Sequence, residues 1–170
     1  MRQVRYSVAM SLDGFIAGPQ GEYDWIPIDP DIDFGELFKG FDTVLMGRKS
    51  WEAARKQGGY GMPGVKAWVF SRTLRQADCP DATVSADPKA AVAALKKGPG
   101  KDLWLFGGGE LFRSFVDLGL VDGMEVAIVP VLLGGGLPML PAGKLLLSKL
   151  TLTSHRVYEK TGTVLLHYAM

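Results

Sequence analysis

One cysteine, Cys79, stands in a chain of 170 residues, so no internal disulfide can form and no cysteine pair offers a structural zinc site. Histidine is nearly as scarce. His155 and His167 are the only two, no other ligand type clusters beside them, and no Ser-His-Asp spacing stands out. Metal hydrolysis and triad-type nucleophilic catalysis therefore drop away as readings. Neither sign of charge dominates: 19 Lys+Arg against 18 Asp+Glu leave a formal net charge of +1 with no basic block, and nothing marks a nucleic-acid partner. No apolar run approaches the length of a membrane span, and residues 1–10 alternate instead of forming a continuous apolar stretch. No signal peptide and a cytoplasmic location are expected. What is present, 47% hydrophobic residues, suits one domain able to bury about two-thirds of its unfolded surface.

Glycine, with 22 copies, is abundant, and its placement carries the information. Residues 101–117 (KDLWLFGGGELFRSFVD) read as a short strand at 103–106, then Gly107, Gly108 and Gly109. Apolar positions at helical spacing follow: Leu111, Phe112, Phe115, Val116 and Leu118. The strand is expected to be buried on both faces. A strand that delivers glycines to a helix N-terminus leaves backbone N–H groups free at the positive end of the helix dipole, where an anion can approach closely. A tight turn and nothing more is the plainer alternative. The pattern recurs, however. Residues 43–46 form a strand, Gly47 breaks it, and Arg48, Lys49 and Ser50 open a helix. Two cations at a helix N-terminus oppose the dipole unless an anion offsets them. A third strand at 67–70 ends on Ser71, Arg72 and Thr73.

Elsewhere, residues 4–10 alternate as a strand with Val4, Tyr6, Val8 and Met10 on one face. The turn-rich segment 11–21 contains the bulky Phe15 and Ile16. Glu22, Tyr23, Asp24 and Trp25 then resemble a pocket wall, or else a surface connection with Trp25 plugging the core. Asp29 and Pro30 predict a helix start, with Asp29 as N-cap, Asp31 and Asp33 in the first turn, Ile32, Leu37, Phe38 and Phe41 as the buried stripe, and Gly40 as the end. Val84 marks a weak strand, and Asp87 with Pro88 starts a helix that Gly98 stops. The final part is all strand: 124–131, a loop at Gly134, Gly135 and Gly136, and a hairpin of 150–158 with 163–168. Alternating strands and helices followed by strands imply a mixed sheet, parallel at its centre, antiparallel at one edge, with helices on both faces. The apolar edge 126–131 and the segment 145–152 suggest a homodimer contact.

In such a sheet, ligands bind outside the C-terminal ends of the parallel strands. The three junctions would share that crevice and suit a dinucleotide with one further phosphate. Arg72, with Ser71 and Thr73, would meet a ribose 2′-phosphate and so favour NADPH over NADH. The Rossmann fingerprint is absent, because Phe112 stands where its last glycine would be.

Residues 44–52 (VLMGRKSWE) and 105–112 (LFGGGELF) resemble two signatures of the dihydrofolate reductases. Together with 11–17 (SLDGFIA) and 129–136 (VPVLLGGG), they are similar more specifically to the RibD C-terminal domain branch, which includes the pyrimidine reductase of riboflavin biosynthesis. The resemblance covers nearly the whole chain. It implies a single three-layer dihydrofolate reductase-like α/β domain over 1–170 that uses NADPH to reduce a C=N or C=O bond of a small heterocycle. Carried over by motif, Gly47, Arg48, Lys49 and Ser50 would hold phosphates and Ser71, Arg72 and Thr73 the 2′-phosphate. Phe106 would adjoin Gly107, Gly108, Gly109, Glu110 and Leu111, which take the diphosphate, and Ala9, Ile16 and Ala17 would flank the nicotinamide. Trp25, Asp31, Gly135 and Leu137 would border the substrate, and its proton would come from Asp24, Asp13 or ordered water. The alternatives are a stand-alone pyrimidine reductase acting on a phosphorylated ribosylamino-uracil, a dihydrofolate reductase, or a non-catalytic NADP(H)-binding protein.

Overall fold

The computed structural model describes residues 1–59, 64–144 and 148–170. Parts of the expected loop at 57–64 and of the 145–152 segment lie outside the described residues. Eight strands form one sheet: β1 (Val4–Ser11), β3 (Phe41–Gly47), β4 (Lys66–Phe70), β5 (Ala82–Ser85), β6 (Asp102–Gly107), β7 (Gly123–Val129), β9 (Thr151–Tyr158) and β10 (Thr163–Ala169). Their order across the sheet is β5-β4-β3-β6-β1-β7-β10-β9. The first six run parallel, and β10 and β9 pair antiparallel at the end. Two short strands, β2 (Phe15–Ala17) and β8 (Leu137–Pro138), pair separately.

Strand alternation divides the core into two layers. Leu45, Leu103, Leu105, Val4 and Tyr6 pack on one face against α3 (Pro88–Lys97) and α4 (Gly109–Asp117), through Val92, Phe112 and Phe115. Val44, Met46, Ala67, Val69 and Trp104 point the other way, toward α2 (Arg48–Lys56) and α1 (Phe34–Lys39), through Trp51 and Phe38. The three-layer expectation holds. Each fully buried apolar side chain in these layers contributes about 1.5–3 kcal/mol, which is why strand register cannot slip. Cys79 is fully buried in the second layer, and burial raises its thiol pKa.

Four local expectations change. First, α1 starts at Phe34 with Asp33 as its cap, the carboxylate accepting from the Glu36 N–H at 2.9 Å. Asp29 is taken by a tertiary role: it is buried and accepts from the Asp31 N–H (2.9 Å) and the Thr161 hydroxyl (2.7 Å), tying residues 29–31 to the β9–β10 turn. Second, Phe41 is the first residue of β3 instead of part of a helical stripe. Third, Phe106 is 37% exposed at the end of β6 and belongs to neither buried cluster. Fourth, β7 ends at Val129 and lies between β1 and β10, so 126–131 is no sheet edge and loses its argument as a dimer contact. No helix among the described residues is long and apolar enough to cross a membrane.

Candidate functional site

Parallel strands bring their C-terminal ends to one rim. Gly47 aligns with Phe70 across β3–β4, and Met46 aligns with Gly107 across β3–β6. The β3–α2 and β6–α4 junctions therefore touch. A Cβ on Gly47 would lie 3.7 Å from both the Gly107 carbonyl oxygen and the Leu111 Cβ, and one on Gly108 would lie 3.6 Å from the Ser50 hydroxyl. Gly107 has φ +107° and is joined to Gly108 by a cis peptide bond. The helices differ in how they start. The caps of α1 and α3, Asp33 and Asp87, each place a carboxylate on a first-turn N–H. Those of α2 and α4 are Gly47 and Gly108, with no side-chain cap bond. Of the helices that follow β3, β6 and β5 on this rim, α2 and α4 thus start without a side-chain cap, whereas Asp87 caps α3. Arg48 and Lys49, both exposed, add positive charge there, with Arg48 4.0 Å from Glu52.

The third junction joins the same rim. Ser71, Arg72, Ser85, Pro88, Leu111 and Ser114 line a cleft of about 430 Å³, so α4 forms one wall of both the glycine turn and this cleft. The Ser71 hydroxyl accepts from the Thr73 and Leu74 N–H groups, each at 3.1 Å, and so shapes the turn that presents Arg72. Arg72 is exposed and makes no ion pair among the described residues. Ser85, Ala86, Pro88 and Ser114 were not anticipated from sequence. The signal was the Asp87-Pro88 helix start after β5, a fourth strand-to-helix junction on the same rim that reads locally as a cap and nothing else.

Across the rim, β2 and β8 bring Ile16 and Ala17 to Leu137. A Cβ on Gly136 would collide with the Ala17 carbonyl, and one on Gly109 with that of Pro138. The 136–139 segment is thus pressed between β2 and the start of α4. Ala9, in β1 beside Ala127, is half-buried. Asp13 is committed: its carboxylate accepts from the Ser11 hydroxyl (2.6 Å) and from the Leu133 (3.1 Å) and Gly134 (2.7 Å) N–H groups. These bonds, the Ser11 hydroxyl first, lower its pKa. It therefore clamps the second glycine loop in its ionised form. A lowered pKa means the clamp is complete above the ordinary carboxylate range and is released as pH falls through the lowered value. Asp13→Ala is expected to speed amide hydrogen exchange at Leu133 and Gly134 at neutral pH. Unchanged exchange at both amides would remove the clamp.

Asp24 is exposed, and its carboxylate has no partner among the described residues. It neighbours Tyr23, whose hydroxyl reaches Gln57 at the end of α2 (2.8 Å), and Trp25, whose indole N–H donates to the Glu22 carbonyl (3.1 Å). The segment 22–25 is thereby tied to α2. Asp31 is paired with Lys160 at 2.8 Å in the β9–β10 turn, which lies at the C-terminal end of β7.

A family model for the RibD C-terminal domain matches residues 2–164. Two Bacillus subtilis proteins, each described only as uncharacterized, are similar in sequence. YyaP is 38% identical over 150 residues, covering 81% of this chain and 80% of that protein. YwjB is 28% identical over 137 residues, covering 78% and 79%. A crystal structure of a putative riboflavin biosynthesis protein from Shewanella sp. PV-4 superposes with TM-score 0.82 at 24% identity, covering 98% of both chains. A Thermotoga maritima diaminohydroxyphosphoribosylaminopyrimidine deaminase/5-amino-6-(5-phosphoribosylamino)uracil reductase superposes with TM-score 0.72 at 16% identity. It covers 99% of this chain but 56% of that one. At these identities the two structures establish the shared fold.

Proposed function

This chain belongs to the RibD C-terminal domain family, and on that footing we propose that it is an NADPH-dependent reductase of a small heterocyclic substrate. The observation that carries the reading is the pair of helix N-termini without side-chain caps in contact at Gly47 and Gly107, continuous with a cleft lined by Arg72, which has no ion-pair partner among the described residues. The donor set suits the coenzyme. Absent side chains at Gly107 and Gly108 leave a cradle beside the Ser50 hydroxyl, and the first-turn N–H groups of α4 lie outside the helical ladder.

When bound, the coenzyme supplies the hydride for a C=N or C=O acceptor. The chain does the remaining work. Arg48, Lys49, Ser50 and the Gly107–Gly109 turn hold the diphosphate, and Arg72 meets the 2′-phosphate. Ala9, Ile16 and Ala17 would adjoin the nicotinamide, and the Asp13 clamp holds the loop leading to Gly135 and Leu137 beside β2, where it would help to exclude water. Asp24, with an uncommitted carboxylate, relays a proton from solvent, while Asp13 is occupied. Folate is the weaker substrate reading, because the acids of α1 are engaged: Asp33 caps the helix and Glu36 pairs with Lys39. The family and the name of the Thermotoga neighbour favour a pyrimidine.

Titrating NADPH and NADH against tryptophan fluorescence, then following nicotinamide absorbance with pyrimidines, pterins and imines, tests the reading. NADPH is expected to bind more tightly, and at least one heterocycle to consume it. Binding without turnover would favour a sensing role, and absence of binding would end both.

A further inference from the structure

The buried layer on the α1 and α2 side of the sheet stops at β6: it draws on β3, β4, β5 and β6 and on no residue of β1, β7 or β10. Trp104 of that layer aligns with Arg5, so Arg5, Ser7 and Ala9 share its face. Through the strand register Glu125 and Ala127 of β7 and His167 of β10 share it too. Ser7, Ala9, Ala127 and His167 are only half-buried there, which makes this part of the face a trough floored by short side chains. Phe106, two residues past Trp104, stands at its margin, edge-on to the indole with centroids 5.1 Å apart.

Among six glutamates only Glu125 is buried, so its place on this face needs a reason. Its Oε1 lies 3.3 Å from Arg5 Nε and 3.9 Å from His167 Nδ1. Arg5 is divided, since it also lies 3.5 Å from Asp102 and rests over the Phe41 ring. Its Nε makes an ion pair without hydrogen-bond geometry, and Glu125 Oε2 is buried with no hydrogen-bond partner at all. One guanidinium thus serves two carboxylates, and one oxygen is left over. A buried carboxylate oxygen without a donor is costly, and an apolar residue at this strand position would avoid that cost.

We propose that Glu125 is a specificity-determining residue of the substrate site, its carboxylate accepting from a planar heterocycle whose edge carries an amino group next to a ring N–H. Ala127, two residues along β7, pairs with Ala9, where the nicotinamide is proposed to lie. Two strand residues span about 6.6 Å. That is the reach of one six-membered ring and a hydrogen bond, so a ring anchored at Glu125 brings its far edge to the hydride. The torsions of the Glu125 side chain let the carboxylate turn into the trough with no backbone shift, while Asp102 keeps Arg5 paired. A carboxylate selects for two parallel N–H donors and against an imide edge, whose flanking carbonyl oxygens would face it. This rests on the reductase reading above and narrows its substrate to an aminopyrimidine edge, free or in a fused ring, over a uracil.

Calorimetry on the NADPH complex with 2,4-diaminopyrimidine, 2,4-diaminopteridine and uracil tests it in the wild type and in Glu125→Gln. The wild type is expected to bind at least one diamino probe about tenfold or more tightly than uracil. Glu125→Gln should lose that advantage, about tenfold or more for a hydrogen bond to a charged group, with NADPH affinity unchanged. In wild-type protein labelled at glutamate Cδ, one carboxyl resonance should shift when the diamino probe is added. Ala127→Val leaves every charge in place and narrows the trough, so it should weaken the same probe even if the glutamine variant does not fold. A wild type without preference over uracil, a preference that survives in Glu125→Gln, or unchanged probe affinity in Ala127→Val overturns the proposal and leaves the coenzyme site standing. A wild type that binds no NADPH overturns the reductase reading and this proposal together.

Discussion

Replacing Arg72 by alanine is expected to weaken NADPH binding by about ten- to a hundredfold while leaving NADH nearly unchanged, the range given by about 1.5–3 kcal/mol for a hydrogen bond to a charged group. The expectation follows from where the guanidinium stands. It is exposed, has no ion-pair partner among the described residues, and borders a cleft shared with Ser114 and Leu111 of α4. No ion pair among the described residues is lost with the side chain, so the main effect should fall on ligand discrimination and little on stability. The effect should shrink as salt rises, because an exposed cation acts through screened water. Arg72→Lys should recover part of the preference but not all, since an ammonium cannot offer the planar fork that fits a phosphate. The measurement is the ratio of NADH to NADPH dissociation constants in the three proteins. A ratio that does not change with the residue at 72 would move the 2′-phosphate elsewhere on the rim.

Gly109→Ala carries the second large effect, on fold and site together. A Cβ at this position would run into the Pro138 carbonyl and lie 3.0 Å from that of Met139 and 3.1 Å from Pro141 Cδ. Two of these are backbone, held by the β2–β8 pairing and by the Met139 N–H on the Gly14 carbonyl (3.0 Å), so they cannot swing aside as a side chain would. Alanine is otherwise the better helix former by about 1 kcal/mol, which works against the clash. Overpacking of about 1–3 kcal/mol should outweigh it at the first turn of a helix, where the propensity gain is smallest. With about 2–4 °C of melting temperature per kcal/mol for a chain of this size, the expected loss is about 2–12 °C. NADPH binding should fall at least about tenfold, since the displaced 137–141 segment borders the turn. Gly135→Ala is the control for stability: a Cβ there meets nothing within 4 Å, and its φ is not in the left-handed region. A Gly109→Ala protein as stable as Gly135→Ala would mean the loop does not press on α4.

Local chemistry alone determined a good deal about this protein. Residues 43–50 and 103–112 spell strand, glycine and helix in an order that needs no tertiary information, since glycine ends the strand and apolar spacing sets the helix. The Asp87 and Pro88 start of α3 is equally local, and α3 begins where they predict. The alternating C-terminal hairpin likewise forms as read. Only the folded chain decided what each acidic side chain would do. Asp29 and Asp33 offer the same cap chemistry four residues apart, and the choice fell to Thr161, which lies 132 positions from Asp29 in sequence. Asp13 looked like an acid poised in a loop until two backbone N–H groups about 120 positions away took both its oxygens. The same holds for Ser85, Pro88 and Ser114, which join Arg72 only because β4 and β5 pair in parallel and α4 packs beside them. The reason is physical: backbone propensity and side-chain periodicity act over a few residues, whereas a carboxylate satisfies itself with whatever donor the sheet order brings within 3 Å.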